Sequence, residues 1–232
     1  MEEQAPIKIA VIDTGFSTKA IPEEKTAEGK NYLYPDRSTE DTYGHGTAVA
    51  SIILEHTSNV LLVPLVSNVY EDGKISQVDN AVLAQMIEDA VDVYECNIIN
   101  ISAGLVLDKE AVRNAVAYAE EHGALIIASS GNDYDSNGEV KYYPAAYDTV
   151  LAVGSLTEDG TEISAFSQRG EWVDVYAVGE NVTIGTLSGN TRTSNGTSYS
   201  AAKITAVAAT YLQMDRGMSP KELREKIKAD MR

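Results

Sequence analysis

Four polar residues of the sequence have types and positions that could support chemistry together: Asp13, His45, Asn132 and Ser198. Asp13 and Asn132 each follow an apolar run that is typical of a buried strand. His45 and Ser198 each precede a helical pattern of small and apolar residues. Because ligands of open α/β sheets bind beyond the carboxyl ends of the strands, we expect all four residues at one edge of a sheet.

These four residue types cover the roles that acyl transfer needs. A serine hydroxyl is a weak nucleophile that needs an adjacent base, and the pKa of histidine lies near the operating pH. A buried carboxylate fixes the imidazole tautomer and stabilises the imidazolium. An asparagine amide and a backbone N–H at a helix start can stabilise the tetrahedral oxyanion. The four residues therefore predict a site for acyl transfer.

Short apolar runs alternate with amphipathic helical patterns along most of the chain. The predicted strands are residues 7–12, 60–66, 98–101, 124–128, 150–153 and 173–178. Several of them are apolar on both faces, as parallel strands covered by helices are. This alternation predicts an α/β fold with a doubly wound, mostly parallel sheet flanked by helices. We expect one domain over residues 1–232, with residues 1–6 as an N-terminal extension.

Three helix ends can be predicted from local motifs. Residues 76–79, Ser-Gln-Val-Asp, resemble a capping box before a helix. Asp108 is expected to cap the next helix, which should end at Gly123. Near the end of the chain, Ser219 is the expected N-cap, with proline at the first helical position and Glu222 at the third.

Composition excludes several classes of partner and site. The chain has 232 residues with a formal net charge of −17, which disfavours nucleic acids and anionic membranes as partners. With 1 cysteine and no Cys/His cluster, neither an internal disulfide nor a structural zinc site is expected. The acidic start, Met-Glu-Glu-Gln, lacks the pattern of a signal peptide, and the apolar runs are too short to span a bilayer. We expect a cytoplasmic protein without metal or cofactor.

The motifs around three of these residues resemble those of the subtilisin-like serine peptidases, the subtilase family. They are Asp-Thr-Gly at Asp13, Gly-His-Gly-Thr at His45 and Asn-Gly-Thr-Ser ending at Ser198, in that chain order. The resemblance implies that Ser198 is the nucleophile, His45 the general base and acid, and Asp13 the orienting carboxylate. It also implies that Asn132 is the oxyanion donor and that the protein is a serine endopeptidase acting on peptides or proteins.

The resemblance also assigns substrate-binding segments. The edge along which substrates of the family pair as an added β-strand corresponds to Ser102, Ala103 and Gly104. One wall of the pocket for the residue before the scissile bond corresponds to Ala128, Ser129, Ser130 and Gly131. Tyr142 falls near the base of that pocket, with Asp133 in the same loop, so a basic or polar preference is expected.

Departures from the family pattern indicate a divergent member. Tyr-Ser-Ala-Ala-Lys follows Ser198, where many relatives have Met-Ala-x-Pro-His. Only residues 56–59 separate two predicted elements where extracellular relatives often carry a calcium loop, so no calcium is expected there. The first strand begins near residue 7 and no propeptide is evident before it, so we expect either an enzyme that folds unaided or one from which that segment was removed. Because cytoplasmic relatives without a propeptide trim leader peptides of peptide natural products, maturation of a precursor peptide is expected by analogy.

Several alternatives differ in their chemistry. A catalytically silent or partner-activated relative would only bind peptides, and a peptide ligase or macrocyclase would use the same acyl-enzyme with an amine in place of water. An aspartic peptidase is rejected because Asp13-Thr14-Gly15 occurs once, whereas that chemistry needs two carboxylates. A nucleotide-binding module is rejected because no glycine-rich fingerprint follows the first strand. The oligomeric state stays open.

Overall fold

The computed structural model describes residues 5–231, so positions 1–4 of the predicted N-terminal extension lie outside the described residues, as does the acidic start. The helices are α1 (His45–His56), α2 (Asn80–Asp92), α3 (Glu110–Glu121), α4 (Tyr134–Asn137), α5 (Thr197–Met214) and α6 (Pro220–Asp230). The strands are β1 (Ile7–Asp13), β2 (Lys30–Asn31), β3 (Val60–Val66), β4 (Asn68–Glu71), β5 (Lys74–Gln77), β6 (Ile98–Ile101), β7 (Leu125–Ser129), β8 (Leu151–Leu156), β9 (Val175–Val178), β10 (Val182–Gly185) and β11 (Thr191–Ser194). None of the helices within residues 5–231 has the length and apolar character that a bilayer crossing requires.

The main sheet has 7 parallel strands in the order β2-β3-β1-β6-β7-β8-β9. Its register places Ile9 of β1 beside Leu62 of β3 on one side and Ile98 of β6 on the other. The chain moves from β1 to β3 and then crosses to β6, so the strand order reverses at β1. The carboxyl end of β1 is therefore where such a sheet opens a crevice for ligands. The predicted α/β class with a mostly parallel sheet is confirmed.

Helices cover both faces of this sheet. Ile9 and Val11 of β1 belong to a buried cluster that includes residues of α1 and α5, whereas Ala10 and Ile12 belong to a second cluster with α2 and α3. Helix α5 packs along β6, β7, β8 and β9. Its buried face is rich in alanine, which lets the helix approach the sheet closely. This packing fixes the start of α5, and with it Ser198, relative to the ends of the strands.

The predicted strands all occur, with ends that shift by up to three residues. The capping box at Ser219 is confirmed: its side chain accepts from Glu222 N, and Glu222 reaches back to Ser219 N. The predicted capping box at residues 76–79 is wrong, because Ser76 lies in β5 and Asp79 alone caps α2 by accepting from Val82 N. The predicted cap at Asp108 is also wrong, since its carboxylate pairs with Arg113 and accepts the Tyr147 hydroxyl instead.

Two antiparallel hairpins flank the main sheet, and the sequence patterns did not predict either. In the first, β4 pairs with β5 across a turn in which Asp72 and Gly73 have φ angles of 51° and 76°. Both lie in the left-handed region that a tight hairpin turn requires. The second hairpin joins β10 to β11, and its Gly185 N donates to Ser51 Oγ of α1 at 2.8 Å. The first hairpin lies beside the candidate site.

Candidate active site

Asp13 and His45 meet at the carboxyl end of β1. Asp13 is the last residue of that strand and is 3% exposed, and His45 is the first residue of α1. His45 Nδ1 lies 2.8 Å from Asp13 Oδ1 and 2.9 Å from Oδ2. This approach depends on Gly46, where a Cβ would lie 2.4 Å from Gly15 O. The structure therefore brings these two predicted residues together as a hydrogen-bonded pair.

A second carboxylate, that of Asp41, holds the backbone around His45. It is 4% exposed, and its Oδ1 accepts from the N–H groups of Tyr43 and Gly44, both at 2.8 Å. Its Oδ2 accepts from Thr47 N at 2.9 Å and from Thr47 Oγ1 at 2.6 Å. Sequence reasoning missed this residue, although an aspartate shortly before a helix start is a recognisable capping signal.

The charges near His45 raise its pKa above the ordinary value. Burial by itself lowers this pKa, because it penalises the imidazolium. The charge of Asp13, its hydrogen bond and the charge of Asp41 act in the opposite direction and outweigh burial. His45 is therefore suited to accept a proton during a reaction.

Ser198 is the second residue of α5 and is 5% exposed. Its neighbour Tyr199 places its ring centroid 6.2 Å from that of His45, and α1 packs against α5. Among residues 5–231, no hydrogen bond joins His45 to Ser198. Hydrogen bonds of this kind are often long in unliganded sites and tighten only when substrate binds.

Asn132 lies just after β7 with its side-chain amide in a fixed orientation. Its Oδ1 accepts from Thr197 N at 2.8 Å and from Thr197 Oγ1 at 2.9 Å. These bonds leave Nδ2 as the group available to donate. The first-turn N–H groups of a helix lack intrahelical acceptors, so the N–H of Ser198 is a second donor nearby. Thr197, which orients this amide, was not singled out from the sequence.

A cavity of about 300 Å³ lies beside Ser198. It is lined by Ser102, Ala103, Gly104, Ser129, Gly131, Asn132, Asp133, Tyr142 and Ser198. Six of the predicted substrate-binding residues are in this set. The other two, Ala128 and Ser130, do not line the cavity, because both are fully buried behind its wall.

A second cavity of about 170 Å³ is lined by His45 and also borders residues 102–103. The hairpin of β4 and β5 contributes Tyr70 and Ile75 to its wall. The ring of Tyr70 lies 5.3 Å from that of Tyr43, which also lines this cavity. The two cavities share Ser102 and Ala103, so both of them border this chain segment.

Within the described part of the chain, no group of three or more His, Cys, Asp or Glu residues could hold a metal ion. The carboxylates of Asp13 and Asp41 are instead engaged by His45 and by N–H and O–H donors. The expectation that no calcium binds near residues 56–59 stays a prediction.

Comparison with known proteins matches residues 4–231 to the subtilase family. The minor extracellular protease Epr of Bacillus subtilis (strain 168) is 32% identical over 229 residues, which cover 97% of this chain and 35% of that protein. The major intracellular serine protease of the same strain is 33% identical over 195 residues, 76% of this chain and 59% of that protein. The chain thus spans 35% and 59% of the lengths of these two relatives.

Solved structures show the same fold. A cold adapted subtilisin-like serine proteinase superposes with a TM-score of 0.82 at 25% identity, covering 96% of this chain and 81% of that one. A prenylagaramide maturation protease superposes with a TM-score of 0.76 at 27% identity, covering 97% of this chain and 82% of that one. With the family match across nearly all of the sequence, the chain belongs to the subtilase family of subtilisin-like serine peptidases.

Proposed function

We propose that the protein is a serine endopeptidase that hydrolyses peptide bonds through an acyl-enzyme on Ser198. Asp13, His45 and Ser198 form its triad, and Asn132 donates to the oxyanion. The observation that carries this proposal is the buried Asp13 carboxylate on His45 Nδ1, at 2.8 Å and 2.9 Å, at the sheet edge where Ser198 and Asn132 also lie.

In the first half-reaction Ser198 Oγ attacks the scissile carbonyl carbon while its proton passes to His45 Nε2. The new oxyanion accepts from Asn132 Nδ2 and from the N–H of Ser198, both placed before the reaction starts. Asp13 stabilises the imidazolium that forms. The tetrahedral intermediate collapses when His45 gives its proton to the leaving amine, so an ester on Ser198 and a free amine result.

In the second half-reaction water attacks this ester. His45 takes a proton from the water, and the second oxyanion uses the same two donors. Collapse of the intermediate returns the proton to Ser198 Oγ and releases the carboxylic acid product. The raised pKa of His45 favours proton uptake in both halves.

The substrate in this proposal is an extended peptide that pairs with the exposed segment at Ser102, Ala103 and Gly104. Successive side chains of a strand point to opposite sides. The residue before the scissile bond would therefore enter the cavity beside Ser198, and the preceding residue would enter the cavity beside His45. The lining that both cavities share at Ser102 and Ala103 supports this arrangement.

We further propose that the protein acts in the cytoplasm as one domain over residues 1–232 and matures a precursor peptide. Its similarity to an intracellular serine protease and to a prenylagaramide maturation protease supports this role. The net charge of −17 is consistent with a peptide partner rather than nucleic acid or an anionic membrane.

One observation favours a second candidate, a relative that a partner must activate. His45 and Ser198 share no hydrogen bond among the described residues. Such a protein would bind the peptide and stay unreactive until a partner closes the gap between base and nucleophile. A ligase or macrocyclase is the same chemistry with an amine as acceptor, and product masses distinguish it from hydrolysis.

Labelling with a fluorophosphonate tests the proposal, because this reagent modifies only an activated serine. Intact mass should show one label per wild-type chain and none on Ser198→Ala, with little on His45→Ala. A folded wild-type chain that takes up no label would contradict the endopeptidase and favour the partner-activated relative. Masses of peptide products in the presence of an added amine then separate hydrolysis from transfer.

A further inference from the structure

Tyr142 forms one wall of the cavity beside Ser198 and is held between two glycines. A Cβ on Gly131 would lie 2.7 Å from Tyr142 Cδ2, and a Cβ on Gly104 would lie 3.0 Å from Tyr142 Cβ. Gly131 also has a φ of +114°, in the region that favours glycine. The ring therefore occupies a slot that a larger residue at either position would close.

The Tyr142 hydroxyl engages Asp133, the one carboxylate among the described residues that line this cavity. It donates to Asp133 Oδ2 at 2.6 Å, and Asn137 Nδ2 donates to the same oxygen at 2.7 Å. Gln168 Nε2 donates to Asp133 Oδ1 at 2.9 Å. A carboxylate offers about four acceptor positions, so three of them are filled from within the protein.

Gln168 makes this arrangement rigid. It is fully buried, and its Nε2 also donates to Gly138 O at 3.0 Å. Its Oε1 accepts from Val140 N at 2.9 Å. Every polar atom of the Gln168 amide is therefore engaged, and the group cannot turn away from Asp133 without breaking several hydrogen bonds.

The protonation states suit this network at neutral pH. The hydrogen bond to Asp133, together with burial, raises the pKa of Tyr142 to about 12, so the phenol keeps its proton. Burial raises the pKa of Asp133, but the hydrogen bonds from Tyr142, Gln168 and Asn137 outweigh it, and the net shift is downward. The neutral Tyr142 hydroxyl thus donates to the charged Asp133 carboxylate, with 2.6 Å between its oxygen and Oδ2.

We propose that Tyr142 is a specificity-determining residue: its hydroxyl occupies Asp133, so the cavity accepts an uncharged side chain before the scissile bond. This inference rests on the proposed function and names the substrate class of that same site. It narrows the basic or polar preference expected from the sequence to an uncharged side chain, because a lysine or arginine would have to compete with Tyr142 and Asn137 for Asp133 Oδ2 and with Gln168 for Oδ1. Removing the hydroxyl should release the carboxylate to a basic substrate.

The test uses two peptides that differ only in the residue before the scissile bond, norleucine in one and lysine in the other. These side chains have similar stems and differ in charge. We expect wild type to have the higher kcat/KM for the norleucine peptide. In Tyr142→Phe, the lysine-to-norleucine ratio of kcat/KM should rise about tenfold, because a hydrogen bond to a charged group is among the stronger ones.

Three further variants separate specificity from structure. Tyr142→Ala should also raise the lysine-to-norleucine ratio, because it removes the whole ring together with the hydroxyl that donates to Asp133. The double variant Tyr142→Phe, Asp133→Asn should not show the rise in the lysine-to-norleucine ratio, because it no longer has the carboxylate. Tyr211→Phe is the matched control, because it removes a hydroxyl that donates to Asp230 at 2.8 Å, away from the cavity, and should leave the ratio unchanged.

The outcomes separate this inference from the function on which it rests. If wild type is labelled by the fluorophosphonate and cleaves peptides, but Tyr142→Phe and Tyr142→Ala change the ratio by less than twofold, only the inference is overturned. Equal cleavage of both peptides by wild type overturns it as well. If wild type is neither labelled nor able to cleave either peptide, the proposed function fails, and this inference fails with it.

Discussion

Asp41 should raise the pKa of His45 without a hydrogen bond to its imidazole. Its carboxylate accepts from two N–H groups on one oxygen and from the N–H and hydroxyl of Thr47 on the other. Asp41→Asn keeps the shape of the side chain but removes the charge and turns one acceptor atom into a donor. If the new amide N–H groups face Thr47, the hydrogen bond from Thr47 N is lost and the Thr47 hydroxyl turns to accept instead of donating. If they face Tyr43 and Gly44, both of those N–H groups lose their acceptor. At least one hydrogen bond must therefore be lost.

The structure gives a magnitude for this change. A hydrogen bond to a charged group contributes about 1.5–3 kcal/mol, so losing one should lower the free energy of unfolding by about 1.5–3 kcal/mol. The charge of Asp41 is also one of the causes that raise the pKa of His45. Without it this pKa falls, so the base form of His45 persists to lower pH. The acid limb of the kcat/KM profile should therefore move to lower pH.

The assay is a pH profile of kcat/KM with an uncharged peptide, together with urea unfolding. Asp79→Asn is the matched control, because Asp79 caps α2 through Val82 N and is not among the groups that shift the pKa of His45. Lower stability with an unmoved acid limb would show that Asp41 is only structural. If neither the free energy of unfolding nor the pH profile of kcat/KM changes, Asp41 neither stabilises the fold nor raises the pKa of His45.

Three other changes have definite expected outcomes. Asn132→Ala should lower kcat by about 10²–10³ with little change in KM, measured on one peptide, since it removes the proposed oxyanion donor, and a KM effect alone would contradict that role. Ser219→Ala should cost about 1 kcal/mol of unfolding free energy through its lost cap and leave kcat unchanged, as chemical denaturation and a peptide assay can check. A chelator should leave the Tm unchanged, whereas a fall of several degrees that calcium reverses would reveal a bound metal.

The main sheet and the site edge could be predicted because local patterns encode them. Its longer strands include one that is apolar on both faces, β3, whose 7 residues are all apolar. Asp13, His45 and Ser198 could be proposed from the sequence because each lies at the end of an apolar run or near the start of a helical pattern, and their roles stay predictions. Because the contacts between these side chains depend on packing, the distance between His45 and Ser198 could not be predicted from the sequence.

The hairpins and the hydrogen-bond partners could not be predicted from such patterns. All residues of β5 are exposed, so pairing with β4 rather than an apolar face defines that strand. Asp133 has an acidic side chain in a loop, and its sequence context suggested a charge available to substrate. Its partner Gln168 is 35 residues away along the chain, and only the folded structure brings the two together.

Trapping the acyl-enzyme tests most directly whether Ser198 is the nucleophile. Wild type is mixed with a peptide ester, quenched in acid within the first turnover and digested for mass spectrometry. We expect an added mass equal to the acyl group of the substrate, located on Ser198 and missing from Ser198→Ala. Turnover of the ester with no acyl group on Ser198, or with the acyl group on another residue, would contradict it.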